Sequence, residues 1–205
     1  QEMYQSFSNE EDWERPQEED PFWEPIQHQV IASAFLYLSS LSHMIDVEED
    51  LSLTDLQGRE QGLLHAKVDL CDAKGTILPE EEAEDMFVDE PEELLKQPGH
   101  FLLTICDVKG IPRNSTDEVY CTFRFMDEAE AETPKVSGKT NPTFNYGHHI
   151  SIPSVNHDHL EYFEKKAIKI IVHGKRIPEP NPGAAEESTM ELINQFRRDA
   201  IDGGN

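Results

Sequence analysis

His100-Phe-Leu-Leu-Thr-Ile-Cys106, Val119-Tyr-Cys-Thr-Phe-Arg-Phe125 and Ala167-Ile-Lys-Ile-Ile-Val-His173 are three apolar runs within one stretch, His100 to Lys175, and their chemistry decides the fold. In the second run Val119, Cys121, Phe123 and Phe125 share one face while Tyr120, Thr122 and Arg124 share the other, which is the period of two that a half-buried strand requires. β-Branched residues dominate the third run, which leads to a Gly-Lys-Arg turn. The first is ended by Asp107-Val-Lys-Gly-Ile-Pro112. Between the second and third, Lys139-Thr-Asn-Pro-Thr-Phe-Asn145 reads as a turn built on Asn-Pro that feeds the short alternating run His149-Ile-Ser-Ile152. Short strands linked by long turns predict a mainly β chain folded as an antiparallel sandwich.

Outward from that stretch, Leu51-Ser-Leu-Thr-Asp-Leu56 and Leu63 to Cys71 both alternate, and Gln57-Gly-Arg-Glu-Gln-Gly62 between them supplies a turn, so the pair reads as a hairpin. Asp72 to Glu93 is a long acidic connection in which Met86-Phe-Val88 is the only apolar contact, either a mobile excursion or a functional loop. Val30 to Ile45 is apolar with small residues interspersed. Ile31, Ala34, Phe35, Leu38 and Leu41 or Ser42 follow helical spacing, which favours a helix covering the sandwich, although Ala34 to Leu38 also suits a strand. Asp158 to Lys166 predicts one or two helical turns with Leu160 and Phe163 facing inward.

The ends differ in character. Residues 1–19 form an acidic linker in which Met3, Tyr4, Phe7 and Trp13 are candidate docking anchors, and Asp20-Pro-Phe-Trp-Glu-Pro25 is a rigid lead-in segment. Residues 20–176 hold the sandwich. Residues 177–205 begin with the Pro-rich linker Pro178-Glu-Pro-Asn-Pro-Gly183 and end in a short helix, started by the capping box Ser188-Thr-Met-Glu191 and faced by Met190, Ile193 and Phe196. With 205 residues, 37% of them hydrophobic, and a formal net charge of -25, the chain can build one core between acidic, flexible ends. That charge repels nucleic acid, anionic lipid and the acidic surface of a microtubule alike. Cys71, Cys106 and Cys121 lie in apolar runs without CxxC spacing and read as buried, reduced thiols. No window approaches the ~20 apolar residues of a membrane span, so the expectation is a soluble, intracellular chain.

Catalytic signatures are lacking. There is no Gly-rich phosphate loop, no Gly-x-Ser-x-Gly elbow and no His-Glu-x-x-His. His148, His149, His157 and His159, with Asp158, form the one histidine cluster with any claim to zinc, and loop histidines without nearby cysteines are usually only solvated. Cys121 paired with a histidine would resemble a thiol nucleophile, but its place within an alternating strand, on the Phe123 face, argues for burial instead. The chain is therefore expected to be no enzyme and to carry no metal or cofactor.

Several short motifs recur in a known order: Asp20-Pro-Phe-Trp23, Ala34-Phe-Leu-Tyr-Leu38, Gly62-Leu-Leu-His-Ala-Lys-Val68, Gly110-Ile-Pro112, Val119 to Phe125, Thr140-Asn-Pro-Thr-Phe-Asn-Tyr146 and His159-Leu-Glu-Tyr162. Together they resemble the C2-like, membrane-associated tail module of the third kinesin family, the organelle-transporting kinesins. The resemblance covers Asp20 to Lys175 and looks nearest to a short-tailed, mitochondrion-associated branch. It implies a piece of a larger motor whose ATP- and magnesium-dependent domain lies elsewhere. It also implies that this piece attaches cargo, through an adaptor or an organelle membrane such as a mitochondrion or vesicle, and restrains the motor half without touching the microtubule itself. Calcium-dependent C2 modules hold the ion with loop carboxylates. Here Asp117 stands as one such ligand, but Asn114-Ser-Thr116 and His173-Gly-Lys-Arg176 replace the others, so the resemblance implies a calcium-independent module.

Two contact surfaces follow. The acidic residues Glu80, Glu81, Glu82, Glu84 and Asp85, beside the anchors Met86, Phe87 and Val88, suit a basic surface of the motor half. Arg124, Lys135, Lys139, Lys175 and Arg176 are a candidate patch for phospholipid, the alternative reading of the module.

Overall fold

The computed structural model describes residues 28–175. The acidic segment with Met3, Tyr4, Phe7 and Trp13, the lead-in at Asp20 to Pro25, Arg176, and the linker and final helix of 177–205 lie outside the described residues.

Eight antiparallel strands carry the fold: β1 (His28–Tyr37), β2 (Val47–Thr54), β3 (Glu60–Leu70), β4 (Gly99–Lys109), β5 (Asp117–Phe123), β6 (Ala131–Glu132), β7 (Thr143–Ile152) and β8 (Ala167–Lys175). Two short helices accompany them, α1 (Glu80–Glu84) and α2 (His157–Lys165). The strand order is β6-β5-β8-β1-β2-β3-β4-β7. β1 meets β2 at a single paired position, Ser33 opposite Thr54, so the sheet turns there into two four-stranded halves. The two halves also meet away from that turn: the Phe123 ring of β5 lies edge-on to Tyr146 and His148 of β7, with centroids 6.3 and 5.4 Å away. The result is the expected sandwich.

Alternation explains the core. In β8, Ile168, Ile170 and Val172 are buried while Lys169 points out. In β5, Val119, Cys121 and Phe123 face inward, and Phe125 continues the same face beyond the strand. Each such side chain contributes about 1.5–3 kcal/mol by leaving water. α2 starts at Asn156, whose side chain accepts from the His159 amide while His159 Nδ1 accepts from Asn156 N. It buries Leu160 and Phe163, and Phe163 packs edge-on against Phe101 of β4 at 5.6 Å. The β2–β3 hairpin forms as read, with the Asp55 carboxylate accepting from the amides of Gln57 and Arg59. The Arg59 amide is the main reason that this carboxyl titrates at about 2.

Four sequence expectations need correction. Val30 to Ile45 is not a helix covering the sandwich: it is mostly β1, followed by a single 3-10 turn at Ser39–His43. The helical stripe fails because Ala32, Ala34, Leu36 and Leu38 are buried while Phe35 and Tyr37 point to solvent, and β8 holds the backbone from His28 to Tyr37. Gly62 belongs to β3 and not to the hairpin turn, which closes at Asp55–Arg59. Gly174 and Lys175 are strand residues paired with β1, and the packing leaves no room for a side chain at Gly174, where a Cβ would lie 2.7 Å from the Ser115 carbonyl and 2.8 Å from Ile31 Cδ1. Thr122, read on the solvent side, is turned away from the core yet only 7% exposed, because Oγ1 is hydrogen-bonded to His173 Nε2 at 2.9 Å.

Candidate interaction surface

Asp72 to Glu93 is neither structureless nor detached. A tight turn leads Asp72 back to Thr76, Leu78 N donates to the Leu70 carbonyl, and Pro79 opens α1. A negative first turn suits the positive end of a helix, which helps so short a segment to form among carboxylates. Glu80, Glu81, Glu82, Glu84 and Asp85 are all exposed. Beyond them the chain is fastened to the 3-10 turn: Val88 N donates to the His43 carbonyl, His43 Nδ1 donates to the Val88 carbonyl at 3.1 Å, and the Phe87 and His43 rings stack at 6.4 Å.

Of the three anchors read from sequence, Met86 and Phe87 are exposed, Phe87 by 51%. Val88 is instead partly buried and packed on the core. Its place on the surface is taken by Ile45, 45% exposed, which sequence reading missed. Between α1 and the β1–β2 connection lies an open groove of roughly 690 Å³. Met44, Ile45, Leu70, Leu78, Ala83 and Phe87 line it together with the carboxylate residues Asp46, Glu80 and Glu84. Asp46 is held in place because its Oδ1 accepts from the Leu70 amide at 2.7 Å.

Two of the basic candidates, Lys135 and Lys175, meet at a single carboxylate, Glu118. Lys175 pairs with Glu118, Lys135 Nζ is 3.6 Å from the same carboxylate, and His28 Nε2 is 3.1 Å from it. The hydrogen bond from Lys175 is the main reason the Glu118 carboxyl is held below its usual range, with burial opposing and the Lys175, Lys135 and His28 charges adding to it. Lys135 also lies 5.1 Å over the Tyr120 ring, whereas Arg124 and Lys139 are exposed. Asp117 sits opposite Lys175 across the β5–β8 pairing.

Next to this hub His173 stacks flat on Tyr120 at 4.8 Å. Burial pushes its pKa below 6.5, against Glu130 and Glu132, which raise it, and with His28, which lowers it further. A group whose folded value is depressed costs stability when protonated, so this contribution is complete above 6.5 and lost as pH falls through the lowered value. Urea midpoints measured between pH about 7.5 and about 5.5 should fall less in His173→Gln than in the parent chain. Parallel curves would mean that His173 carries none of the acid sensitivity.

The histidine cluster is dispersed: His148 pairs with Glu128 at 3.2 Å, His149 lies near His100, and His159 caps α2. Among the described residues no group of three His, Cys, Asp or Glu side chains could hold a metal. Burial pushes the Cys121 thiol up to about 12 and Cys71 to about 11, so neither is a thiolate at neutral pH. No helix among the described residues is long and apolar enough to cross a membrane.

No family model matches the chain. Kinesin-like protein KIF28 of Rattus norvegicus is 28% identical over 178 residues, which is 85% of this chain and 17% of that protein. Kinesin-like protein KIF28 of Mus musculus is 26% identical over the same shares of each chain. Kinesin-like protein KIF13B of Homo sapiens is 24% identical over 197 residues, 88% of this chain and 11% of its own length. These relatives are kinesin-like proteins. The chain spans about a sixth of the length of the KIF28 proteins it matches. A match over 85% of the chain includes most of the described residues 28–175, the part of this chain that is rich in strands.

Proposed function

We propose that this chain is the non-catalytic, C2-like tail module of a kinesin-like microtubule motor, nearest to a mitochondrion-associated branch. It attaches cargo, an organelle such as a mitochondrion or vesicle, through an adaptor or the organelle surface, and restrains the motor half of the same protein until cargo is bound. ATP and magnesium belong to the motor domain of the parent chain. The similarity to kinesin-like proteins along most of the chain carries this reading. The exposed acidic ridge Glu80 to Asp85 supports the restraint, because a ridge of this sign is repelled by the microtubule and attracted to a basic motor surface that binds it. Cargo that binds only the released module shifts the balance by its differential affinity. The phospholipid reading is weaker, since Lys135 and Lys175 already spend their charge on Glu118.

In the full-length parent motor, replacing Glu80, Glu81, Glu82, Glu84 and Asp85 by their amides should raise microtubule-stimulated ATP turnover at low salt by about fivefold or more, the scale of a typical coupling free energy. Deletion of the whole module sets the ceiling. If deletion activates while the amide variant turns over like the parent, the restraint does not run through this ridge.

A further inference from the structure

We infer that the groove between α1 and the β1–β2 connection is a docking site for an amphipathic helix with basic flanks, presented by a partner polypeptide. This names the partner chemistry of the acidic ridge and rests on the reading that the ridge is a contact surface. Its lining is largely apolar and partly open: Ile45 and Phe87 expose about half of their surface to water, and Leu78 and Ala83 line the same groove. Its volume of roughly 690 Å³ has room for the apolar residues on one face of a two-turn helical stretch. Asp46, Glu80 and Glu84 line the same groove as these apolar residues, so apolar anchors flanked by Lys or Arg meet both of its chemistries at once.

Charge also says what does not fit. Residues 1–27 of this chain hold nine carboxylates against Arg15 alone, and residues 176–205 hold six against three arginines, so neither segment complements the groove. A second copy, with its formal charge of -25, is repelled as a whole. The His43–Val88 hydrogen bonds hold the Phe87 wall in place before any partner arrives, which lowers the ordering cost of binding.

The test uses the 205-residue chain and a fluorescent peptide of about four helical turns, with Leu and Phe at i, i+4 and i+7 and Lys at the remaining positions. A scrambled peptide of identical composition is the control. At about 0.15 M salt, where long-range attraction is screened, the patterned peptide should bind at least about tenfold tighter than the scrambled one. The double variant Ile45→Ser/Phe87→Ser, at two exposed positions, should abolish that preference, and Phe35→Ser/Tyr37→Ser on the outer face of β1 should leave it intact. Equal binding of the two peptides, or a preference that survives in the Ile45/Phe87 variant, overturns the groove. Such a failure together with an activated amide variant of the motor would leave the restraint standing as a purely electrostatic contact, so the two proposals fail separately.

Discussion

Phe123→Ala is expected to lower stability by about 3–5 kcal/mol, a large share of what a domain of this size possesses. The ring is 2% exposed and is the contact through which β5 of one half of the sandwich meets Tyr146 and His148 of β7 in the other. Its removal leaves a cavity at the seam, where neither strand can move inward without dragging its hydrogen-bonded partners, β8 and β4. The neighbouring residue is the control. Thr122→Val keeps the branched shape and loses only the hydrogen bond to His173, a loss of about 0.5–1.5 kcal/mol. Urea unfolding followed by tryptophan-independent far-ultraviolet dichroism measures both variants, and equal midpoints would show that the two halves are not joined through Phe123.

Gly62→Ala is expected to be comparably severe, for a reason that has nothing to do with apolar area. Gly62 has φ +138° inside β3, and a Cβ there would lie 2.0 Å from the carbonyl oxygen of Lys109. The obstacle is backbone of the paired strand β4, fixed by the Leu63–Lys109 pairing, so no rotamer change relieves it. Backbone strain of this kind costs about 1–3 kcal/mol before the clash is counted. Gly110 lies back to back with Gly62, its own Cβ position 3.3 Å from Gly62 Cα. Gly58→Ala provides the comparison, with φ +77° but nothing within 4 Å. It should lose only the left-handed penalty of about 1–2 kcal/mol. If Gly62→Ala unfolds no earlier than Gly58→Ala, the β3–β4 pairing near Lys109 is looser than its register implies.

Much of the sandwich could be read locally. β5, β8 and the β2–β3 hairpin carry their faces in an alternation of two, and turn residues mark their ends, because a strand with one side in the core must repeat with that period. α2 was legible for a similar reason, Leu160 and Phe163 being three apart on one face, while its Asn156 cap emerged only from the structure. β1 was not. A run rich in Ala, Ser and Leu satisfies both helical and extended spacing, and what selects the strand is β8, a distant part of the chain. The Gly62–Gly110 contact was invisible for the same cause, although both residues stand in short recurring motifs.

The acidic ridge shows how the two kinds of information divide. Its sign follows from composition alone: with 42 acidic residues against 17 basic ones, no folding of this chain yields a strongly positive surface overall. Which apolar residues accompany the ridge is a matter of tertiary structure. Val88 is drawn inward by His43, Ile45 is turned out by the left-handed residue Met44, and Leu70 and Leu78 complete the groove lining from a third part of the chain. Charge is additive along a sequence and survives any folding, whereas a groove exists only where distant segments are brought side by side.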